Sequence, residues 1–285
     1  MGQECEPLPA GTIAVSPKLK GNLGSREIAS RHMRERDPKA NLAIRFVVEL
    51  ERRFRALRLG IFFLRARWFK MPQAVRVAGR KVVLHYPSER GVEVDFIGCC
   101  IRNDYGLRQQ LKDVETILDV GANVGFFSIA ARADYPSAKI HAYEPNRRIF
   151  PFLRSNTEQL GIDTYQEAVG ADEGRVSIAD EGDSNQAKTI ASADGGIPQI
   201  ALQRAVERLG GRVDLLKLDC EGAEWGMFRS AAPWRHIRNI RMEYHLFDQH
   251  TPQDVEQALK QLGFRITRFE SSTGFGLIWA VPFQC

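Results

Sequence analysis

The chain has 285 residues, of which 44% are hydrophobic and 26% charged, with 13 Pro and 24 Gly. This composition suits one large folded domain or one domain with an appendage, and it excludes wholesale disorder and fibrous or low-complexity architectures. The net charge of +5 is uneven: residues 1–113 carry +10 and the remainder −5, so the basic excess belongs to the N-terminal part.

The longest useful apolar run, Ile61–Leu64, falls far short of the ~20 residues that a membrane helix needs. The N-terminus shows no unbroken apolar core of a signal peptide. Five Cys (Cys5, Cys99, Cys100, Cys220, Cys285) form no CxxC pair, so a disulfide framework or structural zinc is not expected, and a reducing cytoplasm is.

Residues 1–40 mix Pro, Gly, Ser and charges without apolar periodicity and read as a loose arm. From 41 to 110 the spacing predicts a basic amphipathic helix and then a short β region. Phe46, Leu50, Phe54, Leu57, Ile61, Leu64 and Trp68 recur at helical steps among many arginines until Pro72. Such a helix packs on the main domain, docks a partner, or lies on an anionic membrane as a peripheral contact through residues 42–70. Val75, Val77, Val82–Leu84 and then Val92, Val94 and Phe96 alternate as strands do.

The third segment, 111–285, alternates strands with helices. Strands are expected at Thr116–Val120, Lys139–Tyr143, Tyr165–Val169, Val176–Ile178, Val213–Leu218 and Ile237–Tyr244, with helices from Gly125 to about Arg132 and over Arg147–Gln159 and Pro252–Leu262. Phe264–Phe269 and Leu277–Val281 close the chain around a Ser271–Gly274 turn. This order implies an α/β fold: a mainly parallel sheet covered on both faces, ending in an antiparallel hairpin.

The stretch Leu118-Asp119-Val120-Gly121-Ala122-Asn123-Val124-Gly125 joins a strand to a helix through small residues, and the next strand ends in Glu144-Pro145. Gly121 lets the backbone turn, and Gly125 allows a close approach at the helix start, where N–H groups favour an anion. An acid at the end of the second strand is placed to accept hydrogen bonds from ribose hydroxyls. Asn123, where dinucleotide sites carry Gly, disfavours a nicotinamide oxidoreductase.

These residues, with Glu167-Ala168-Val169-Gly170 and Leu216-Lys217-Leu218-Asp219-Cys220-Glu221-Gly222-Ala223-Glu224, resemble the FkbM-type methyltransferases that use S-adenosyl-L-methionine (SAM). The resemblance runs from about Asn103 to Tyr244. It implies a Rossmann-like class I methyltransferase fold, a seven-stranded and mostly parallel sheet with an antiparallel C-terminal strand, here with an N-terminal helical and β extension. It implies SAM as cofactor, with Asp119, Gly121, Asn123 and Gly125 around its methionine portion, Glu144 on the ribose, and Glu167 and Ala168 beside the adenine. It also implies O-methylation of a sugar, polysaccharide or secondary metabolite, hence a small-molecule or carbohydrate acceptor. Such sequences usually carry a Thr/Ser-Leu-Asp element before the Lys-x-Asp strand; Ala201-Leu202-Gln203 stands there instead, so the substrate side is expected to differ.

An alcohol acceptor must lose its proton as it attacks. Strand ends deliver Asp219 and Glu221, and Glu243 and His245, to one edge of the sheet. His245 is a candidate base and Asp219 a candidate for orienting the acceptor. Asp219, Glu221 and Glu243 are also ligands of the kind Mg²⁺ prefers, but the pattern is not diagnostic and no metal is predicted. Glu224, at a helix start, suits a structural role as well. Two rival functions are a nucleic-acid methyltransferase and a non-catalytic nucleotide-binding scaffold. The first is disfavoured by an acidic sheet edge without an Asn/Asp-Pro-Pro-aromatic turn, the second by the complete set of motifs.

Overall fold

The computed structural model describes residues 42–62, 69–109, 111–179, 188–192, 194–247 and 249–283. The expected loose arm, and the Leu64 and Trp68 end of the expected helical stripe, lie outside them. Ala43–Cys285 forms one compact unit, and no helix among the described residues is long and apolar enough to cross a membrane.

The first helix, α1, spans Leu42–Arg58 and stops well before Pro72. Gly60, with φ of 73°, ends it. Its N–H donates to the Leu57 carbonyl, and the Ile61 N–H reaches back to the Ala56 carbonyl. This glycine stop satisfies the last carbonyls and buries Ile61 beside Ala56. The chain then forms the hairpin β1 (Ala74–Val77) and β2 (Arg80–Val83).

The expected strand through Val92, Val94 and Phe96 is instead a helix, α2 (Arg90–Phe96), which runs on as a π-helical turn, Ile97–Arg102. Val92 and Phe96, four apart, are both buried, whereas Val94 is exposed. A short apolar run fits either period, and here burial follows the helical one. Asn103 closes the turn in the left-handed region, its side chain accepting from the Leu107 N–H and donating to the Leu107 carbonyl.

The main sheet has seven strands. In chain order these are β3 (Thr116–Val120), β4 (Lys139–Tyr143), β5 (Asp163–Tyr165), β10 (Leu215–Leu218), β11 (Ile240–His245), β12 (Phe264–Ser271) and β13 (Phe275–Pro282), arranged β12-β13-β11-β10-β3-β4-β5. β11, β10, β3, β4 and β5 run parallel, and β13 runs antiparallel to both neighbours. This is the seven-stranded class I methyltransferase topology. The expected strand Tyr165–Val169 divides: after β5 the chain enters a second, four-stranded sheet of β6 (Ala168–Gly170), β7 (Gly174–Ala179), β8 (Lys188–Ala191) and β9 (Ile197–Ala201), ordered β6-β9-β7-β8.

Central strands buried on both faces must be apolar on both. Ile117, Ile140, Ala142 and Leu215 face one core, which also takes Val75, Phe96 and Ile101 from the preceding segment. Leu118, Val120, Leu216 and Leu218 face the other, shared with Trp234, Val255 and Leu259. The helices are α3 (Phe126–Asp134), α4 (Phe150–Glu158), α5 (Leu202–Leu209), a single turn α6 (Glu224–Met227) and α7 (Pro252–Gln261). The sequence reading did not anticipate α5, although Leu202, Ala205, Val206 and Leu209 form its buried stripe. α7 has Pro252 at its start and a reciprocal Thr251/Asp254 capping box.

Consecutive strands lead one way from β3 and the other way from β10, so the sheet reverses direction between these two neighbours. Open α/β sheets bind ligands at the carboxyl ends of the strands at such a reversal.

Candidate active site

A cavity of about 370 Å³ opens at that reversal. Gly121, Asn123, Glu144, Asn146 and Ala168 line one part of it, and Asp219, Glu221, Glu243, His245 and Phe275 another. Asp95, from α2, lines it as well.

The turn after β3 has strict steric demands. Gly121 has φ of 73°, and a Cβ there would sit 1.6 Å from the Asp219 carbonyl oxygen. The loops after β3 and β10 therefore touch backbone to backbone. Gly125 serves a different contact from the ligand approach considered above: a Cβ would lie 2.9 Å from Leu153 and 3.0 Å from Thr157, so this glycine seats α4 against the start of α3.

Glu144 is nearly buried. One carboxylate oxygen accepts the Asn123 N–H at 2.9 Å and the other the Asn146 N–H at 2.8 Å. Burial pushes its pKa up to about 7, against the pull of those two backbone donors. Asp95 accepts from the Asn123 amide at 3.1 Å, so Asn123 connects the acid at the end of β4 to an acid from α2.

Beneath the cavity lies a buried charge network. Lys217 Nζ is 3.3 Å from Asp219 and 3.6 Å from Asp119, and it donates to the Gly121 carbonyl. Burial pulls its pKa down, but Asp219 and Asp119 outweigh burial and hold the ammonium well above its usual range. Asp119 is raised by its own burial and lowered again by Lys217 and by the Ser128 hydroxyl, which donates at 2.6 Å. Tyr105 donates to Asp219 at 3.2 Å. Thus Asp119 supports the site from below rather than lining it.

The opposite part gathers the titratable cluster. His245 Nε2 lies 3.4 Å from Glu221 and 3.7 Å from Glu243, and Nδ1 lies 3.8 Å from Glu224. The fully buried Glu224 is a brace, accepting from the backbone N–H groups of Gly222 (2.9 Å) and His245 (2.8 Å). Burial would lower His245, but Glu224, Asp219, Glu221 and Glu243 raise it to about 9. Glu221 is raised to about 8 by burial and by Asp219, and Glu243 is raised by the same two causes. Glu221 also has φ of 51°, an uncommon backbone state of the kind found at functional sites. Asp219, Glu243 and His245 bring one ligand atom each within 4.8 Å. The two carboxylates among them are of the kind an oxygen-preferring divalent ion takes.

Among the residues expected at a site, the structure brings Gly121, Asn123, Glu144, Ala168, Asp219, Glu221 and His245 to one cavity. Glu167 is placed beside it, its carboxylate bound by Arg208 at 2.6 Å. Arg208 in turn lies over the Tyr165 ring at 4.4 Å. The sequence reading gave no role to Asp95, Tyr105 or Lys217. Lys217 alone left a signal there, as a lysine inside an apolar strand that requires buried carboxylate partners.

Residues 119–266 match the family model described as the methyltransferase FkbM domain. The chain is 26% identical over 193 residues to methyltransferase sdnD of Sordaria araneosa, covering 53% of this chain and 74% of that protein. Over 47 residues it is 38% identical to the 31-O-demethyl-FK506 methyltransferase FkbM of Streptomyces tacrolimicus, covering 16% of this chain and 18% of that one. Among solved structures, fibrillarin of Aeropyrum pernix in complex with S-adenosyl-L-methionine aligns with a TM-score of 0.41 at 15% identity, over 63% of this chain and 74% of that chain. The strand order, the glycine turn with its facing acid, and a family match spanning more than half of the residues converge, and the chain belongs to the FkbM methyltransferase domain family.

Proposed function

We propose that this methyltransferase uses SAM to methylate a hydroxyl group of a sugar, polysaccharide or secondary metabolite. The observation that carries the reading is the single cavity joining Glu144 to the His245 cluster. The donor set fits the cofactor. Glu144 has both oxygens turned toward the loop ends, and its ionised form is suited to accept from ribose hydroxyls. Ala168, Val169 and Ile178 give an apolar wall for the base. Bound there, SAM supplies a methyl group already activated on a sulfonium.

The remaining work falls to the chain. The two loops locked at Gly121 fix the distance between the β3 and β10 strand ends, and with it the alignment of donor and acceptor. Such positioning supplies up to about 7–11 kcal/mol of barrier in favourable systems. Lys217 holds Asp219 in place, and Asp219 orients the acceptor hydroxyl. The proton leaves to the group formed by His245, Glu221 and Glu243, which titrates as one unit because both carboxylates lie within 4 Å of the His245 imidazole. The acceptor's proton is taken by a group of this unit in its deprotonated form, so methyl transfer is expected to quicken as pH rises toward 8. The name of the FK506 relative, which places its methyl on oxygen, supports the O-methyl reading.

Calorimetric titration of the purified chain with SAM, with NADH as comparison, tests this. Saturable SAM binding is expected, weakened on the order of tenfold or more in Glu144→Ala by the loss of charge-assisted hydrogen bonds. Binding of NADH alone would overturn the cofactor. SAM binding without methylation of any hydroxylated acceptor would overturn the O-methyl reading.

A further inference from the structure

The outward face of α1 is apolar where a solvated helix would be polar. Among the described residues, eight of the ten large hydrophobic side chains that stay exposed lie between Phe46 and Val83. Phe54 is 63% exposed, Leu57 62% and Phe62 80%. Leu50, Phe54, Leu57 and Phe62 also border an open apolar hollow of about 420 Å³. This face is held rigidly. Ala56, Leu59 and Ile61 are buried beneath it, and Arg55, Arg58 and Arg108 converge on buried Asp134 at 3.0–3.1 Å.

Charge says what the face meets. Between residues 46 and 83 the described residues include eight basic side chains against two acidic ones, Glu49 and Glu51. Arg55 and Arg58 are held by Asp134 and Arg52 and Arg53 lie beside Glu49, so the excess rests on Lys70, Arg76, Arg80 and Lys81. Arg76, Arg80 and Lys81 are exposed on the β1–β2 hairpin, which abuts the helix end: the Arg76 N–H donates to the Leu59 carbonyl at 2.7 Å. A symmetric pairing of two copies through this face would press one cation-rich rim against its own image. An anionic bilayer offers both partners at once, acyl chains for the phenylalanines and phosphate headgroups for the arginines and lysines.

We propose that α1 and the β1–β2 hairpin form a docking surface for anionic lipid bilayers, on which the enzyme rests as a peripheral protein. The helix lies in the headgroup plane with Phe54, Leu57 and Phe62 downward.

The test is vesicle flotation of the full chain, comparing phosphatidylcholine vesicles with vesicles containing about one-third phosphatidylglycerol. The full chain is expected to float with the anionic vesicles and not with the neutral ones, and high salt should reduce binding. The double variants Phe54→Asp/Leu57→Asp and Arg80→Glu/Lys81→Glu should each weaken partition on the order of tenfold or more. All four positions are exposed, so the variants should melt like the parent, which separates lost docking from lost folding. Failure to float with anionic vesicles overturns the proposal, as does undiminished binding by either variant. A solution dimer that Phe54→Asp/Leu57→Asp converts to monomer, with no lipid binding by the parent, assigns the face to a second copy and overturns it equally.

Discussion

The carboxylate of Glu224 accepts the backbone N–H of His245 at 2.8 Å and lies 3.8 Å from the same residue's imidazole Nδ1. One buried acid therefore fixes both the end of β11 and the charge on the histidine that the strand presents to the cavity. Glu224→Ala leaves the Gly222 and His245 N–H groups without this acceptor. Each orphaned group costs about 1–3 kcal/mol, to be read as a lower denaturation midpoint. By proton NMR titration, the His245 pKa should also fall below its value of about 9, because Glu224 is the leading group that raises it.

SAM affinity should depend on pH through Glu144. The folded carboxyl titrates at about 7 against an ordinary 4.5, so the native state binds this proton more tightly than the unfolded chain. Its contribution to stability is fully present below about 4.5 and is lost as pH rises through about 7. Ribose hydroxyls need the ionised form, so the dissociation constant should fall between roughly pH 6 and 8. Calorimetry across that window should show the trend in the parent and none in Glu144→Gln.

Lys217→Met keeps length and removes the charge that Asp119 and Asp219 share. Breaking a buried pair from one side costs about 3–5 kcal/mol, so chemical denaturation should show a large loss of stability. Adding Asp119→Asn should recover part of it, because the orphaned charge then disappears.

Gly121→Ala places a methyl group 1.6 Å from the Asp219 carbonyl and imposes φ of 73° on alanine. Either the variant fails to fold, or the β3 and β10 loops part and SAM binding is lost. Normal SAM affinity in a folded Gly121→Ala protein would show that the loops need not touch.

Asp95 faces the cavity next to Asn123, where the amino-acid end of a nucleoside bound at Glu144 would extend. Asp95→Asn should weaken S-adenosylhomocysteine, which carries an ammonium group, on the order of tenfold. It should leave 5′-methylthioadenosine, which has none, unaffected. Equal loss for both ligands would mean that Asp95 acts only through the position of Asn123.

The sheet was legible because its central strands had to be apolar on both faces, and because the turn from Gly121 to Gly125 admits few conformations. That Gly121, Asn123 and Glu144 meet at one cavity was legible for the same reason, since they follow strand ends that the topology brings side by side, whereas Asp119 lies beneath them. What lay outside the turns was not. Val92, Val94 and Phe96 carry no period long enough to separate strand from helix, and only the packing of Val92 and Phe96 into the core decides it. The end of α1 was signalled by Gly60, yet the apolar spacing continued past it and masked the stop. Asp95 reaches the cavity, and Tyr105 the Asp219 carboxylate, by tertiary contact alone, which no local pattern encodes. Glu221 and Glu243 carry raised pKa values because the folded chain buries them beside Asp219, a surrounding that no local pattern encodes.

Residues 119–266 span the family match, yet Asp95 and Phe275, which line the cavity, fall on either side of that stretch. The pocket is thus closed by two flanks, α2 ahead of the shared segment and β13 behind it. Exchanging these flanks with those of a relative, while keeping β3 through β11, becomes a route to retargeting the enzyme. Because Asp95 on α2 meets Asn123, exchanging β13 alone is the change that leaves the Gly121, Asn123 and Glu144 side of the cavity untouched.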